Sequence, residues 1–147
     1  MTKKFYHYTE CGLDDVFLLN GYSIDSDGVL FIKNIQGLHK AIAERLIFVP
    51  RKLKNKEVRF IRHYLDVSQK VFGEMLGVDY QSILRWETGK TKITKTAERF
   101  LRSIFYEYVN GNVRAVDIID RLSDLDNNRQ DTRIEFLHKL DKWETAA

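Results

Sequence analysis

The chain has 147 residues, of which 44% are hydrophobic and 12% aromatic, and this composition excludes a largely disordered protein and predicts one or two small domains. No apolar run approaches the roughly twenty residues of a membrane span. The N-terminus lacks the apolar stretch of a signal peptide, and the single cysteine, Cys11, cannot form an internal disulfide. We therefore expect a cytoplasmic protein with no membrane partner.

The net charge of +3 is distributed unevenly along the chain. Residues 51–102 hold thirteen Lys/Arg and six Asp/Glu, a net charge of +7, whereas residues 1–50 carry −1 and residues 103–147 carry −3. A charge run alone usually marks only a solvated surface. It favours nucleic-acid binding when it coincides with a motif that can enter a groove, because neutralising phosphates releases condensed counterions.

Residues 1–50 predict a small α+β domain. The segments FYHYTE, VFLL and GVLFI are typical of short strands. A helix is predicted over IQGLHKAIAERLIFV, with one apolar face that would cover a small sheet: Leu38, Ile42, Ala43, Leu46 and Ile47. Pro50 and the basic run RKLKNK then predict a linker and a domain boundary.

Residues 51–110 predict an all-α bundle that contains a helix, a tight turn and a second helix. Ser68 is a good N-cap for the first helix, Gly77 can end it in a left-handed conformation, and Asp79 can cap the second. Gly73 is expected where the two helices cross closely. Apolar stripes predict the buried faces of this pair and of the helix before it: Val71, Phe72, Met75 and Leu76, then Val58, Ile61 and Leu65.

The second helix of this pair has two different faces. Ile83 and Trp86 are three residues apart and are expected in the core, so that other residues point outward. The candidate base and phosphate contacts on the outer face are Tyr80, Gln81, Ser82 and Arg85. A longer helix follows, which Thr94 or Thr96 can cap, with the apolar face Phe100, Leu101, Ile104, Phe105 and Tyr108.

Residues 111–147 predict two amphipathic C-terminal helices, separated near Asn127-Asn128. Their apolar positions are Val113, Val116, Ile119 and Leu122 in one, and Ile134, Leu137, Leu140 and Trp143 in the other. These faces must pack on the bundle or on another copy of the chain, and we expect homodimerisation. The alternative is that they complete a monomeric core.

Nothing in the sequence indicates an enzyme. His7, His39, His63 and His138 are scattered; His39 is expected to be a packing residue and His63 to form a surface pair with Asp66. No Gly-rich phosphate loop, nucleophile elbow or zinc-protease motif is present. We therefore expect no catalytic residues, no metal site and no cofactor.

The segment from Ser68 to Gly89, SQKVFGEMLGVDYQSILRWETG, resembles the helix-turn-helix of the lambda-repressor-like (Cro/CI or XRE) family. The resemblance is carried by Ser68-Gln69, Gly73, Gly77-Val78, Ile83 and the closing WETG. It implies DNA binding, with Gln81 reading an adenine or a guanine in the major groove and Arg85 reaching a guanine or a phosphate. Ser82 would contact a base or a phosphate, and Gln69 a phosphate. Three residues after the second helix would contact the flanking backbone: Lys90, Thr91 and Lys92.

A wider resemblance covers most of residues 5–105. The runs YHYTECGLDDVFLLNGY, GLHKAIAERL and EVRFIRHYLDVSQ, together with WETG, resemble MqsA-type antitoxins and related mobile-element regulators. In that family the N-terminal domain binds a ribonuclease toxin and the helix-turn-helix represses the shared operon. MqsA also has a structural zinc held by paired cysteines, which a chain with one cysteine cannot build.

These resemblances imply a transcriptional regulator that binds an inverted-repeat operator in double-stranded DNA as a homodimer. The first expectation is a repressor and autoregulator that is also the antitoxin of a type II toxin-antitoxin system. The alternative is a mobile-element or phage-type regulator with no toxin partner, in which residues 1–50 serve assembly only. With or without a toxin partner, residues 111–147 are expected to be a helical extension used for dimerisation.

Overall fold

The computed structural model describes residues 4–114, 117, 120 and 133–146. Within these residues the chain is α+β, with short N-terminal hairpins, five helices in the middle and a C-terminal hairpin. The predicted fold class is therefore confirmed. None of the described helices is both long enough and apolar enough to cross a membrane.

The N-terminal strands form two separate antiparallel hairpins. Strand β1 (Tyr6–His7) pairs with β2 (Phe17–Leu18), and β3 (Tyr22–Ile24) pairs with β4 (Leu30–Ile32). The three predicted strands are present but shorter than their sequence patterns, and the strand Tyr22–Ile24 was missed. Asp25 accepts hydrogen bonds from the backbone N–H groups of Asp27 and Val29, which fixes the turn between β3 and β4.

The five helices are α1 (Ile35–Phe48), α2 (Asn55–Leu65), α3 (Gln69–Leu76), α4 (Tyr80–Thr88) and α5 (Lys95–Val109). Helix α1 buries four of its five predicted core residues, and Leu38 is half-buried. The helix packs mainly on α5 and also contacts α2, so the expectation that it covers a sheet was wrong. Hairpins with strands of two and three residues offer too little surface to cover a helix of 14 residues.

The predicted linker after Pro50 is held against the bundle. The guanidinium of Arg102 in α5 donates hydrogen bonds of 2.6–3.3 Å to four backbone carbonyls, those of Leu46, Ile47, Val49 and Arg51. Val49 and Leu53 are themselves buried. The chain on both sides of Pro50 therefore contributes to one hydrophobic core, which extends from Tyr8 to Val109.

The helical stripes of α2 to α5 form most of that core. The predicted residues Val58, Ile61 and Leu65 of α2 are buried, as are Phe72 and Met75 of α3. Helix α5 buries Leu101, Ile104 and Phe105 and begins at Thr94, whose hydroxyl accepts a hydrogen bond from the N–H of Ala97. Phe100 was also expected in the core but lies at the edge of this face, with 46% of its surface exposed.

The predicted C-terminal helix through Ile134, Leu137, Leu140 and Trp143 was wrong. Strand β5 (Phe136–Lys139) pairs antiparallel with β6 (Lys142–Thr145). The two turn residues between them, Leu140 and Asp141, both have positive φ angles of 47° and 63°, as a tight two-residue hairpin turn requires. Of the other predicted C-terminal helix, Val116, Ile119 and Leu122 lie outside the described residues.

Candidate nucleic-acid interface

A three-residue turn joins helices α3 and α4, and both helices are capped as predicted. The Ser68 hydroxyl accepts a hydrogen bond of 3.1 Å from the N–H of Val71. Gly77 ends α3 with a φ of 72°. Asp79 accepts a hydrogen bond of 2.8 Å from the N–H of Ser82, and this hydrogen bonding lowers the pKa of its carboxyl group. These caps fix where each helix begins and ends.

Gly73 allows α3 to lie against the start of α4. A Cβ atom at this position would lie 2.6 Å from the backbone carbonyl oxygen of Val78. Side chains essentially never approach a carbonyl oxygen so closely, so any larger residue would push the two helices apart. The expectation that a glycine is needed at this crossing is confirmed.

The two faces of α4 are separated as predicted. Ile83 and Trp86 are buried, with 0% and 5% of their surfaces exposed. On the outer side Gln81 and Arg85 are exposed, Tyr80 is half-exposed and Ser82 is half-buried. Arg85 donates a hydrogen bond of 3.2 Å to the Ser82 hydroxyl, so the structure brings these predicted site residues together on one surface.

Two residues of this outer surface were not among the site residues predicted from the sequence. Leu84 and Thr88 follow Gln81 by three and seven positions, which places them on the same side of the helix. Both side chains are exposed, and Leu84 keeps 44% of its surface accessible. Their helical spacing from Gln81 is the sequence signal that would have identified them. An exposed leucine beside polar residues suits apolar contact with a thymine methyl group.

The segment after α4 adds three exposed residues to this surface: Lys90, Thr91 and Lys92. The N–H of Thr91 donates a 3.3 Å hydrogen bond to the carbonyl of Arg85, which ties the segment to the end of α4. Within the described parts of the chain neither lysine forms an ion pair, and neither does Lys70 on the first turn of α3. These cations remain available to an anionic partner.

Other cations of the basic block are neutralised within the protein. Five of its thirteen Lys/Arg form ion pairs with Asp or Glu: Arg51 with Glu57, Lys54 with Asp15, Lys56 with Asp14, Arg62 with Glu87, and Arg102 with Glu98. The count of charges along the sequence therefore overstates the positive charge that is free. The remaining charge includes Arg85, Lys90 and Lys92, in and directly after α4.

A buried ion pair fixes α4 to α2. The Arg62 guanidinium contacts the Glu87 carboxylate through two hydrogen bonds of 2.7 and 3.0 Å, with 11% and 4% of the two side chains exposed. Arg62 also donates to the carbonyl of Val67, and the Gln69 amide donates to Glu87 at 3.4 Å. The predicted phosphate contact Gln69 is therefore half-buried at the start of α3 and already positioned by a charged partner.

The histidines differ from each other in their surroundings. His39 bonds the Tyr8 hydroxyl at 2.8 Å, as expected of a packing residue. His63 was expected to pair with Asp66, but its Nε2 lies 3.4 Å from Nε of Arg59, and Asp66 instead ends α2. Among the described residues, no group of three or more His, Cys, Asp or Glu side chains is placed to hold a metal ion.

Comparison with protein-family models, curated proteins and solved structures finds no significant match. The geometry of α3, α4 and the segment after them is therefore the main basis for inferring what this protein binds.

Proposed function

We propose that this protein is a sequence-specific regulator of transcription that binds double-stranded DNA by placing α4 in the major groove. The observation that carries the proposal is that α4 has two faces. Ile83 and Trp86 lie in the core, and the opposite, exposed side is polar and centred on Gln81. The major groove is wide enough for one α-helix, and its base edges offer a distinct hydrogen-bonding pattern for each base pair. The caps and Gly73 hold α4 rigidly, as a base-reading helix requires.

Base reading is assigned to the outer side chains of α4. The Gln81 amide can pair bidentately with adenine N6 and N7, and the Arg85 guanidinium can donate to guanine O6 and N7 or to a phosphate. Ser82 lies within hydrogen-bonding distance of Arg85 and can orient that guanidinium. Tyr80 is half-exposed at the first turn of α4, where its ring can lie against a sugar or a thymine methyl group.

Backbone contacts are assigned to residues at the ends of the two helices. Gln69 lies at the N-terminus of α3, where unpaired N–H groups and the helix dipole favour a phosphate. Lys90, Thr91 and Lys92 are exposed directly beyond α4 and can contact the flanking strand. Contacts of this type position the protein without selecting a sequence.

The proposed regulator is a homodimer that binds an inverted repeat. Two copies of α4 about 34 Å apart would enter successive major grooves, and a two-fold operator would match a two-fold protein. The C-terminal hairpin exposes Phe136 and Trp143 with 59% and 72% of their surfaces accessible, and such apolar residues are typical of a surface that another chain covers. Repression of the protein's own promoter is the expected outcome.

The test is binding of the full chain to the DNA upstream of its own gene and to an unrelated duplex at several salt concentrations. Tight binding by a dimer to the upstream duplex, with log affinity falling linearly as log salt rises, is expected. Lys92→Ala should weaken binding to both duplexes and reduce that slope by about one, whereas Lys40→Ala on α1 should behave as wild type. Equal weak binding of both duplexes by the wild type would overturn sequence-specific recognition.

A second role, as the antitoxin of a type II toxin-antitoxin system, is favoured by the N-terminal hairpins. They expose six large apolar side chains: Phe5, Phe17, Leu19, Ile24, Val29 and Phe31. Exposed apolar residues grouped on hairpins suit a protein partner. The aromatic segment from Phe5 to Tyr22 is divided between core and surface: Tyr8 and Leu18 are buried, and Phe5 and Phe17 are exposed.

The gene beside this one decides between antitoxin and plain regulator. A neighbouring small basic protein that forms a stable complex with this chain and loses ribonuclease activity in it would support the antitoxin. Phe17→Ser and Phe31→Ser should weaken that complex and leave DNA binding unchanged, with Leu140→Ser on the C-terminal hairpin as the exposed control. If no neighbour binds, the plain mobile-element or phage-type regulator in the cytoplasm is the better account.

A further inference from the structure

A cleft of about 750 Å³ lies beside the end of α4 that is furthest from Tyr80. One wall is the outer side of α2, another is the end of α4 at Glu87 and Thr88, and the third is the turn Glu10–Gly12. Thr88 is seven positions after Gln81 and therefore lies on the same side of α4. The cleft continues the proposed DNA-binding surface onto α2.

The wall formed by α2 is basic. Lys56, Arg59 and His63 line the cleft, and their spacing of three and four residues places them in one row along the helix. All three side chains are exposed. Lys56 pairs with Asp14 at 2.8 Å, but Arg59 forms no ion pair within the described parts of the chain.

The Arg59 guanidinium has an unusual neighbour. Its Nε atom donates a hydrogen bond of 3.4 Å to Nε2 of His63, and Nη2 of Arg62 lies 3.5 Å from the same nitrogen. An imidazole nitrogen that accepts from a guanidinium carries no proton. Arg59 and His63 are therefore two potential phosphate ligands that lie side by side, and of the two only Arg59 is charged.

The acidic groups of the cleft are already engaged. Glu87 binds Arg62 and Gln69. Glu10 accepts hydrogen bonds from the Tyr6 hydroxyl and from the N–H of Thr9. An anion in the cleft would thus find Arg59 and His63 without a competing carboxylate bound to either.

We propose that this cleft binds a phosphate group of the DNA backbone that flanks the bases read by α4, with Arg59 and His63 as its ligands. The inference rests on the proposed function and deepens it, because it extends the DNA contact from α3 and α4 to α2. A phosphate between the two side chains accepts hydrogen bonds from the guanidinium and from a protonated imidazole. Where Nε2 of His63 is unprotonated before binding, as its hydrogen bond from Arg59 requires, binding at this position takes up a proton there.

The sign of the resulting pH dependence follows from the surroundings of His63. Burial and the charges of Arg62 and Arg59 lower the pKa of its imidazole, against a smaller opposite effect of Glu87 on α4. Lys56 lies in the same row of α2, and Glu10 and Cys11 of the N-terminal turn line another wall of the cleft. A bound phosphate raises the pKa of His63, so DNA affinity should increase as the pH falls through the histidine range.

The experiment measures Kd of the full chain for its upstream duplex as a function of salt, at about pH 8 and about pH 6, on either side of the histidine range. Arg59→Gln should reduce the slope of log affinity against log salt by about one and weaken the specific and unrelated duplexes by the same factor. His63→Gln should make the gain in DNA affinity between the higher and the lower pH smaller than in the wild type. Arg45→Gln on α1 and His7→Gln on β1, both exposed residues outside the cleft, are the matched controls.

The outcomes separate the two proposals. If the wild type binds no DNA, the proposed function fails and this inference with it. If the wild type binds and Lys92→Ala reduces the salt slope, but Arg59→Gln matches Arg45→Gln and His63→Gln retains the full pH dependence, only the α2 contact is overturned. Thermal unfolding of each variant distinguishes a lost phosphate contact from a lost fold.

Discussion

The Arg62–Glu87 ion pair is the side-chain contact that most directly controls the position of the proposed reading helix. Both side chains are buried, and the two hydrogen bonds between them connect α2 to the last turn of α4. Removing one partner leaves a buried charge without compensation, whereas replacing both with apolar residues removes that penalty. The pair therefore helps to fix the orientation of α4 relative to α2, in addition to its effect on the stability of the fold.

We expect Arg62→Met to lower the free energy of unfolding by about 3–5 kcal/mol, because Glu87 would remain buried without its cation. The double variant Arg62→Met/Glu87→Leu should recover much of this loss. Urea unfolding of the two variants and the wild type measures both effects. A double variant that is less stable than Arg62→Met would contradict the view that the unpaired carboxylate causes the loss.

Glu57 makes a related contact at the start of α2. It is 7% exposed, and its carboxylate accepts two hydrogen bonds from Arg51 and one from the N–H of Lys54. Burial alone would raise the pKa of Glu57, but these hydrogen bonds and the charge of Arg51 outweigh it and hold the pKa below its usual 4.5. The negative charge therefore stabilises the folded state.

A lowered pKa of this kind contributes stability above pH 4.5 that is lost as the pH falls through the folded-state pKa. Glu57→Gln should therefore reduce stability at neutral pH by about 1–3 kcal/mol, the usual effect on a buried hydrogen-bonded charge. It should also make unfolding less dependent on pH below 4.5. Glu44→Gln on the exposed side of α1 is the control, and an unchanged acid dependence in Glu57→Gln would disprove the assignment.

At the scale of elements, α2 to α5 could be predicted because several local signals agreed. Ser68, Asp79 and Thr94 each accept the backbone hydrogen bond expected of an N-cap, and Gly77 adopts the left-handed conformation that ends α3. The apolar stripes of these helices have helical spacing, and most of their residues are buried. Capping and periodicity are local properties, so a single sequence contains them.

Trp86 is the largest side chain that α4 contributes to the core, and it is 5% exposed. Trp86→Ala should destabilise the protein by about 3–5 kcal/mol through lost burial and the cavity that remains. Leu84→Ala, on the exposed side of the same helix, should change stability by less than about 0.5 kcal/mol, as is usual for surface sites. Thermal and urea unfolding check both, and a fully stable Trp86→Ala protein would place the ring outside the core.

The C-terminal hairpin could not be predicted because its sequence fits two periods. Ile134, Leu137 and Leu140 recur every three residues as in a helix, whereas Ile134, Phe136 and His138 alternate as in a strand. Within a short segment the tight turn at Leu140 and Asp141 decides the structure, and Leu140 is not a residue typical of such a turn. The Arg62–Glu87 pair had no local signal either, since 25 residues separate its partners.

At the scale of the whole molecule, the N-terminal segment is attached to the bundle through a common core and through ion pairs. Two aspartates between β1 and β2 form these pairs: Asp14 pairs with Lys56 in the first turn of α2, and Asp15 pairs with Lys54, the residue before the helix. These pairs are exposed and contribute little stability, about 0–1 kcal/mol each. Their effect on charge is larger, because they remove two cations from the surface next to α4.

The C-terminal hairpin has one apolar side. The register places His138 opposite Trp143 and Phe136 opposite Thr145, and the rings of His138 and Trp143 lie 5.2 Å apart. An isolated two-stranded hairpin is at best marginally stable in water, so we propose that a second copy covers this side. Trp143→Asp should shift the protein from dimer to monomer in light scattering, whereas Leu140→Asp in the turn should not. An unchanged dimer in both variants would place the interface elsewhere.

The central claim is that the outer side of α4 reads base sequence, and selection from a pool of random duplexes tests it most directly. The wild type should enrich a two-fold symmetric sequence. Gln81→Ala should lose preference at one base pair of each half-site, at a cost of about 1–3 kcal/mol on the original site. Gln36→Ala on α1 should select the wild-type sequence. If Gln81→Ala also selects the wild-type sequence without loss, or if the wild type enriches none, the claim is contradicted.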